Sequence, residues 1–497
     1  MLMLIFGGVL MKYMSPIYSG PETLDYDPAY QYLFNGAGLM LGYNPAHTDH
    51  PGTPVQILTG LLSFSSWLIA KLFGLSALPY RQSIVAYSEE YLSIIMTVFL
   101  VLNCIAVYAA GAAIAKSTRL VAAGIACQAM YFVLGPLFPR IFDAAPEALL
   151  FLASSALMGV LAPVMFSDEE CTDRKAIAVG FFIALGLTTK INFLPFFLLT
   201  FILRQKRPII IALSASSLFM LLLLLPIIDR LKRVFTWVMF VGTHDGAGFD
   251  WAAIPMRAEL IVSAEPILIV AAIGVAGVIL LSKARYKFVA AIFAAALSIL
   301  MLLIFKHFAI HYLMPGAAIA PALIVWAISR FASRPLPFVL AASIALAVGA
   351  FSLVNMSILF AKERVLRQQN ETAINEVIAS FDNPVVLGAY RAGRKSFAIQ
   401  FGIAWCDWRF AHLFPEAMAA DSVLYDAVAK KPWRIDGGEV EWSYLDQFDK
   451  AGRAVLIVQS RDANKIKPTV AQTETILDQG FGDTVERIIV SPKGNGE

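Results

Sequence analysis

Long apolar runs alternate with short polar breaks along most of the chain. A membrane-spanning helix needs about 20 mostly apolar residues. Spans are predicted at 1–14, 88–115, 120–138, 144–166, 176–189, 191–204, 208–228, 259–281, 287–305, 312–329 and 336–360. Two of them, 176–189 and 191–204, are short and meet at Thr189-Lys190. The stretch 54–74 is also apolar, but Pro54, its serines and Lys71 predict a helix lying in the interface rather than crossing it. This makes about eleven spans. The opening run MLMLIFGGVLMKYM has no basic leader and no small-residue cleavage site, so it reads as a first span rather than a cleaved signal.

Basic residues then set the orientation, because Lys and Arg gather in short cytoplasmic loops. With the N-terminus inside, the inside loops carry Lys116 and Arg119; Arg174 and Lys175; Arg204, Lys206 and Arg207; Lys283, Arg285 and Lys287; Arg330 and Arg334. Counting 54–74 as a span would put all of these outside. Residues 1–361 are therefore predicted to form a transmembrane domain, with a first outer loop at 15–87. From 362 to 497 the composition turns mixed and charged, which predicts a small α/β domain outside the membrane. Pro384–Gly388, Val455–Gln459 and Val485–Val490 read as strands there, and 391–402 and 466–479 as helices. The fold class is thus mainly α, a polytopic helical bundle with a C-terminal α/β domain.

Composition agrees and narrows the function. Of the 497 residues, 58% are hydrophobic and 15% charged, against about 25% charged in soluble domains. A net charge of +3 is small and argues against nucleic acid as a partner. The cysteines, Cys104, Cys127, Cys171 and Cys406, are scattered and form neither a CxxC pair nor a disulfide framework. No internal repeat stands out, which counts against an inverted-repeat transporter.

Polar groups at a membrane face carry a cost and usually a role. Here they gather on the predicted outer side. The opening loop holds Asp25, Asp27, His47, Asp49 and His50. The outer ends of spans hold Arg140, Asp143 and Glu147, then Lys190, then Lys306, His307 and His311, and the loop 229–258 adds His244, Asp245 and Asp250. Carboxylates for one reactant and cations for a phosphate suit chemistry on a lipid-linked anion. Each residue also has a plainer reading. Asp27 before Pro28 can cap a helix, and Asp25 can be a surface acid. Asp49-His50-Pro51 can be a turn, or with His47 can offer ligands to a divalent metal. Glu147 can be a first-turn acid, and Lys190 and Lys306 can snorkel. Trp405, Trp408, Trp433 and Trp442 fit core packing or interface anchoring better than sugar stacking. No Gly-rich phosphate loop is present, so no nucleotide cofactor is expected.

The order of these motifs resembles the polytopic glycosyltransferases of the C-type fold (GT-C), in particular the protein O-mannosyltransferases and the lipid A aminoarabinose transferases. Asp27-Pro28-Ala29-Tyr30 stands where that family has Asp-Glu-x-Tyr. His50-Pro51-Gly52-Thr53-Pro54 stands for His-Pro-Pro, and Arg81 follows the interfacial helix. Arg140 with Pro146-Glu147 resembles the opening of the family's fourth span. Gly186-Leu187-Thr188-Thr189-Lys190 resembles Gly-Leu-x-x-Lys, and His311-Tyr312-Leu313-Met314-Pro315 resembles basic-Tyr-x-x-Pro. The likeness covers residues 1–330, and Pro28 departs from it where the family has Glu.

The resemblance implies a sugar transferred from a polyprenyl-phosphate donor to an acceptor hydroxyl on the outer face of a membrane, the bacterial inner membrane being the expected one. Asp27 would be the general base, with Asp25 the candidate for the second acid. Lys190, Lys306, His311, Tyr312 and Arg81 would hold the donor phosphate, with Asp49, His50, Arg140 and Glu147 as further site residues. The acceptor could be lipid, glycan or protein. A secondary transporter or lipid flippase is the alternative, and would place its ionisable groups near the midplane. A non-catalytic scaffold would leave Asp27 dispensable.

Overall fold

The computed structural model describes residues 8, 29–48, 52–167, 169–243, 254–306 and 309–382. Beyond these it describes 385–389, 402–403, 406–411, 423–426, 431–434, 455–460, 472–478 and 483–489. Apart from residue 8, the predicted first span lies outside the described residues. So do Asp25, Asp27, Asp49, His50, His307, the acidic loop with His244, Asp245 and Asp250, Trp405, Trp442 and nearly all of the predicted helix 391–402.

The helices are α1 (Ala29–Met40), α2 (Thr53–Leu72), α3 (Tyr80–Ala86), α4 (Ser88–Thr118), α5 (Val121–Met130), α6 (Pro146–Phe166), α7 (Asp173–Thr189) and α8 (Lys206–Leu224). They continue with α9 (Leu231–Thr243), α10 (Ile254–Ala264), α11 (Pro266–Leu281), α12 (Ala284–Lys306), α13 (Met314–Phe331), α14 (Leu336–Ala379) and the short α15 (Trp408–Ala411). Tighter 3-10 stretches join some of them, notably Gly135–Ile141, Ile191–Leu203 and Ile310–Leu313.

Among the described residues, seven helices are long and apolar enough to cross a membrane, or nine if each of two bent pairs counts as one span. The predicted spans 120–138 and 259–281 are those bent pairs. The first turns by 99° at Leu134 and the second by 96° at Glu265. Both breaks precede a proline, Pro136 or Pro266, whose missing N–H and fixed φ start a new helical segment instead of continuing the old one. The predicted pair 176–189 and 191–204 forms a helix of 17 residues and a 3-10 stretch of 13. The predicted interfacial stretch 54–74 forms α2, whose 20 residues match a crossing helix in length and apolarity.

The chain divides into two compact units. The first comprises 1–10, 47–58 and 95–357, the second 11–46, 59–94 and 358–497. In the first, α6 and α13 form the most enclosed layer, and the Trp326 indole donates to Met165 O at 3.1 Å. Contacts also join the basic loops of this unit at one end of its helices. Arg207 bonds Asp173 at 2.5 Å, Lys175 bonds Glu169 at 3.1 Å, and Lys116 lowers the Glu169 pKa further by its charge. Arg204 reaches Arg285 O at 3.1 Å, and Arg330 reaches Phe166 O at 3.2 Å.

In the second unit, α1 is buried along most of its length. The Tyr43 ring packs tilted against Phe410 at 5.7 Å, and the Arg409 guanidinium lies 5.9 Å from the Tyr43 ring. A six-stranded sheet follows α14 in this unit. Its strands are β1 (Val385–Ala389), β2 (Val423–Asp426), β3 (Lys431–Arg434), β4 (Val455–Ser460), β5 (Gln472–Asp478) and β6 (Asp483–Ile489), in the order β3-β2-β1-β4-β6-β5. β1 runs parallel to β2 and β4, and the remaining pairings are antiparallel. Three strands fall where the sequence predicts them. Within the predicted helix 466–479, the rest of which lies outside the described residues, residues 472–478 are instead strand β5. Its Thr473, Thr475 and Ile476 are β-branched, and pairing with β6 outweighs a weak helical period.

Candidate active site

Three predicted motifs converge at the end of the first unit's helices opposite the basic loops. The Asp173 end of α7 and the Phe166 end of α6 lie with the basic loops. The opposite ends of α6 and α7 carry Glu147 and Lys190. α6 has 21 residues, so the two groups of side chains are separated by about 30 Å, close to a hydrocarbon thickness.

Lys190 is the residue at which α7 ends. Its N–H bonds Gly186 O at 3.0 Å, after which the chain turns extended. The motif begins with Gly because a Cβ at 186 would lie 2.4 Å from the Phe193 ring, which folds back over it. Glu147 follows Pro146 in the first turn of α6, where the helix dipole favours an anion. The Lys190 ammonium meets Glu147 Oε1 at 2.8 Å, with Lys190 5% and Glu147 2% exposed. The same ammonium lies 4.5 Å from the Tyr312 ring centre. His311 Nε2 stands 3.9 Å from the same carboxylate oxygen and remains partly exposed. His311 and Tyr312 sit in the 3-10 turn before α13, with Pro315 at the helix start. Asn192 Nδ2 ties the Tyr312 carbonyl to the Ile191–Leu203 stretch at 3.1 Å.

Arg140 and Asp143 approach from the segment between the first break and α6, paired at 3.5 Å. Burial raises the Asp143 pKa to about 6, against the lowering effect of Arg140 and with Glu147 adding to the rise. Its Oδ1 has no partner among the described residues. Asn103 of α4 donates to Ile141 O and, at 3.1 Å, to Ala148 O, fixing the loop that carries Asp143. The segment after His50 also arrives here. Gly52, at φ +59°, donates to Thr189 O at 3.2 Å, next to Lys190, and Gln56 donates to His47 O at 2.7 Å.

The fold therefore gathers Glu147, Lys190, His311, Tyr312 and Arg140 from the predicted set. Lys306 closes α12, partly exposed, shortly before the turn that bears His311. Arg81 lies exposed on α3 in the second unit. Among the described residues, no group of three or more His, Cys, Asp or Glu is arranged to hold a metal. Asn103 and Asn192 were missed by sequence reasoning, although an amide inside an apolar run was the available signal. Two buried cations here balance two buried carboxylates, with a histidine at the rim. A phosphate entering this cluster meets an ammonium with three N–H groups, one already given to Glu147.

No family model matches the sequence, and no curated protein does. Among solved structures, the chain is similar to that of ArnT from Cupriavidus metallidurans bound to undecaprenyl phosphate. The two share a TM-score of 0.51 and 10% identity over 99% of this chain and 98% of that one. The chain thus shares the fold of that structure, a GT-C-like membrane fold, and its apolar helices of spanning length make it an integral membrane protein.

Proposed function

We propose that the chain is a membrane glycosyltransferase. It takes a sugar from a polyprenyl-phosphate-linked donor and passes it to an acceptor hydroxyl on the face opposite the basic loops. The observation that carries this reading is the buried cluster of Lys190, Glu147, His311, Tyr312 and Arg140 at one membrane face. The similar fold that binds undecaprenyl phosphate supports the same donor class.

In this reading the acceptor oxygen attacks the anomeric carbon, the bond from that carbon to the phosphate oxygen breaks, and the lipid phosphate leaves. Lys190 and His311 neutralise the leaving phosphate, and Glu147 holds Lys190 at the right depth through one of its N–H groups. Asp27 takes the acceptor proton, with Asp25 as its reserve. Arg81, Lys306, Asp49 and His50 are secondary candidates, and the mixed domain after 361 is extracytoplasmic.

The test is transfer from a radiolabelled polyprenyl-phosphate sugar by the protein in vesicles. Lys190→Ala loses a desolvated, charge-assisted contact to the donor. Its donor kcat/KM is expected to fall by roughly 30–150-fold, with acceptor KM little changed. Unchanged donor kinetics would reduce Lys190 to an interfacial lysine.

A further inference from the structure

The basic loops do more than lie on one side. Arg285 and Arg330, from different loops, hold their guanidinium carbons 4.5 and 4.4 Å from the centre of one ring, Tyr286. Arg204, from a third loop, donates to Arg285 O at 3.1 Å. Lys206, Lys283 and Lys287 are exposed on the same loops.

Exposed apolar side chains flank these cations in the chain. Leu280, Leu281, Phe288, Phe331 and Leu336 lie at the adjoining ends of α11, α12, α13 and α14. Cations at a helix-end level with bare apolar surface beside them match a phosphodiester headgroup above acyl chains. A soluble anion would gain nothing from the apolar part.

We propose that loops 203–207, 282–287 and 329–334 form a binding site for the headgroup of an anionic phospholipid in the adjoining leaflet, with Arg285 and Arg330 on the Tyr286 ring and Arg204 on the Arg285 carbonyl. The site is separate from the candidate active site and does not depend on the sugar-transfer reading. A general excess of positive charge on this face would favour anionic lipid diffusely. The stacked cluster predicts a defined site instead.

The experiment is native mass spectrometry of the full chain in detergent, titrated with phosphatidylglycerol and, separately, phosphatidylcholine. Wild type should retain phosphatidylglycerol at least tenfold more tightly, at roughly a fivefold gain per cation near the headgroup. Arg204→Gln/Arg285→Gln should lose roughly thirtyfold of that affinity. Lys116→Gln/Arg119→Gln removes the same charge from another loop of this face and, if the site is the defined cluster, should lose less than about threefold. Tyr286→Leu keeps all the charges but removes the ring, and should weaken retention as well, which covers a failure of the double variant to fold. Equal losses in the two double variants would overturn the site in favour of diffuse charge. Displacement of the lipid by millimolar inorganic phosphate would overturn the lipid as its occupant.

Discussion

Breaking the Lys190–Glu147 pair tests the core of the candidate site. The two groups meet at 2.8 Å, and each is at least 94% shielded from solvent. Glu147→Leu leaves an ammonium buried without its counter-charge, and among the described residues an aromatic face 4.5 Å away remains to attract it. Removing one partner of a buried pair costs about 3–5 kcal/mol. Lys190→Met should cost less, about 2–3 kcal/mol, because Arg140 and His311, the latter 3.9 Å from the same carboxylate oxygen, still lie beside Glu147. Glu147→Leu/Lys190→Met removes both charges, and such replacements are often close to neutral for stability. The double variant should therefore unfold near wild type while transferring no sugar. The assay is denaturant unfolding in mixed micelles, followed by tryptophan fluorescence, for all four proteins. A coupling energy of at least about 2 kcal/mol is expected. If the single losses simply add, within about 0.5 kcal/mol, the pair is not the buried unit described and the reasoning fails.

Asp27→Asn keeps shape and capping capacity but removes basicity, so turnover should fall by about two orders of magnitude in a protein that still folds; near wild-type transfer would pass the role to Asp25 or Asp49. Asp143 is an acid whose folded pKa, about 6, exceeds its unfolded one, so its burial costs nothing below about pH 4 and progressively more as pH rises through 6. The stability of Asp143→Asn relative to wild type should therefore improve by roughly 2–3 kcal/mol between pH 4 and 7, read from unfolding curves across that range, and a flat difference would refute the raised pKa. On a cysteine-free background, cysteines at 205 and 284 should resist a membrane-impermeant thiol reagent in intact cells while one at 440 is labelled; the reverse pattern would invert the orientation.

Much of this protein is legible without its fold. An apolar run of spanning length has few choices in a bilayer, because every backbone N–H and C=O must be satisfied within the helix. That is why the helices 88–115, 144–166 and 336–360 fall where hydropathy puts them. The motifs ending at Lys190 and beginning at Glu147 and His311 were visible for the same reason, since charge inside such a run is costly enough to stand out. Hydropathy could not see the two breaks at Leu134 and Glu265, because a bent helix is as apolar as a straight one. Nor could local period see that 472–478 is a strand, since β6 decides it from another part of the chain. The identity of Lys190's partner was likewise beyond reach. Glu147 lies 43 residues earlier and His311 more than 100 residues later. Their meeting rests on how α6, α7 and α13 pack, and no feature of any one segment encodes that crossing. Composition and periodicity determined the segments and their charges, which are local properties of the chain. Packing alone decided which charges neutralise one another, because an ion pair in a low-dielectric interior exists only where distant backbones bring its two halves within a few ångströms.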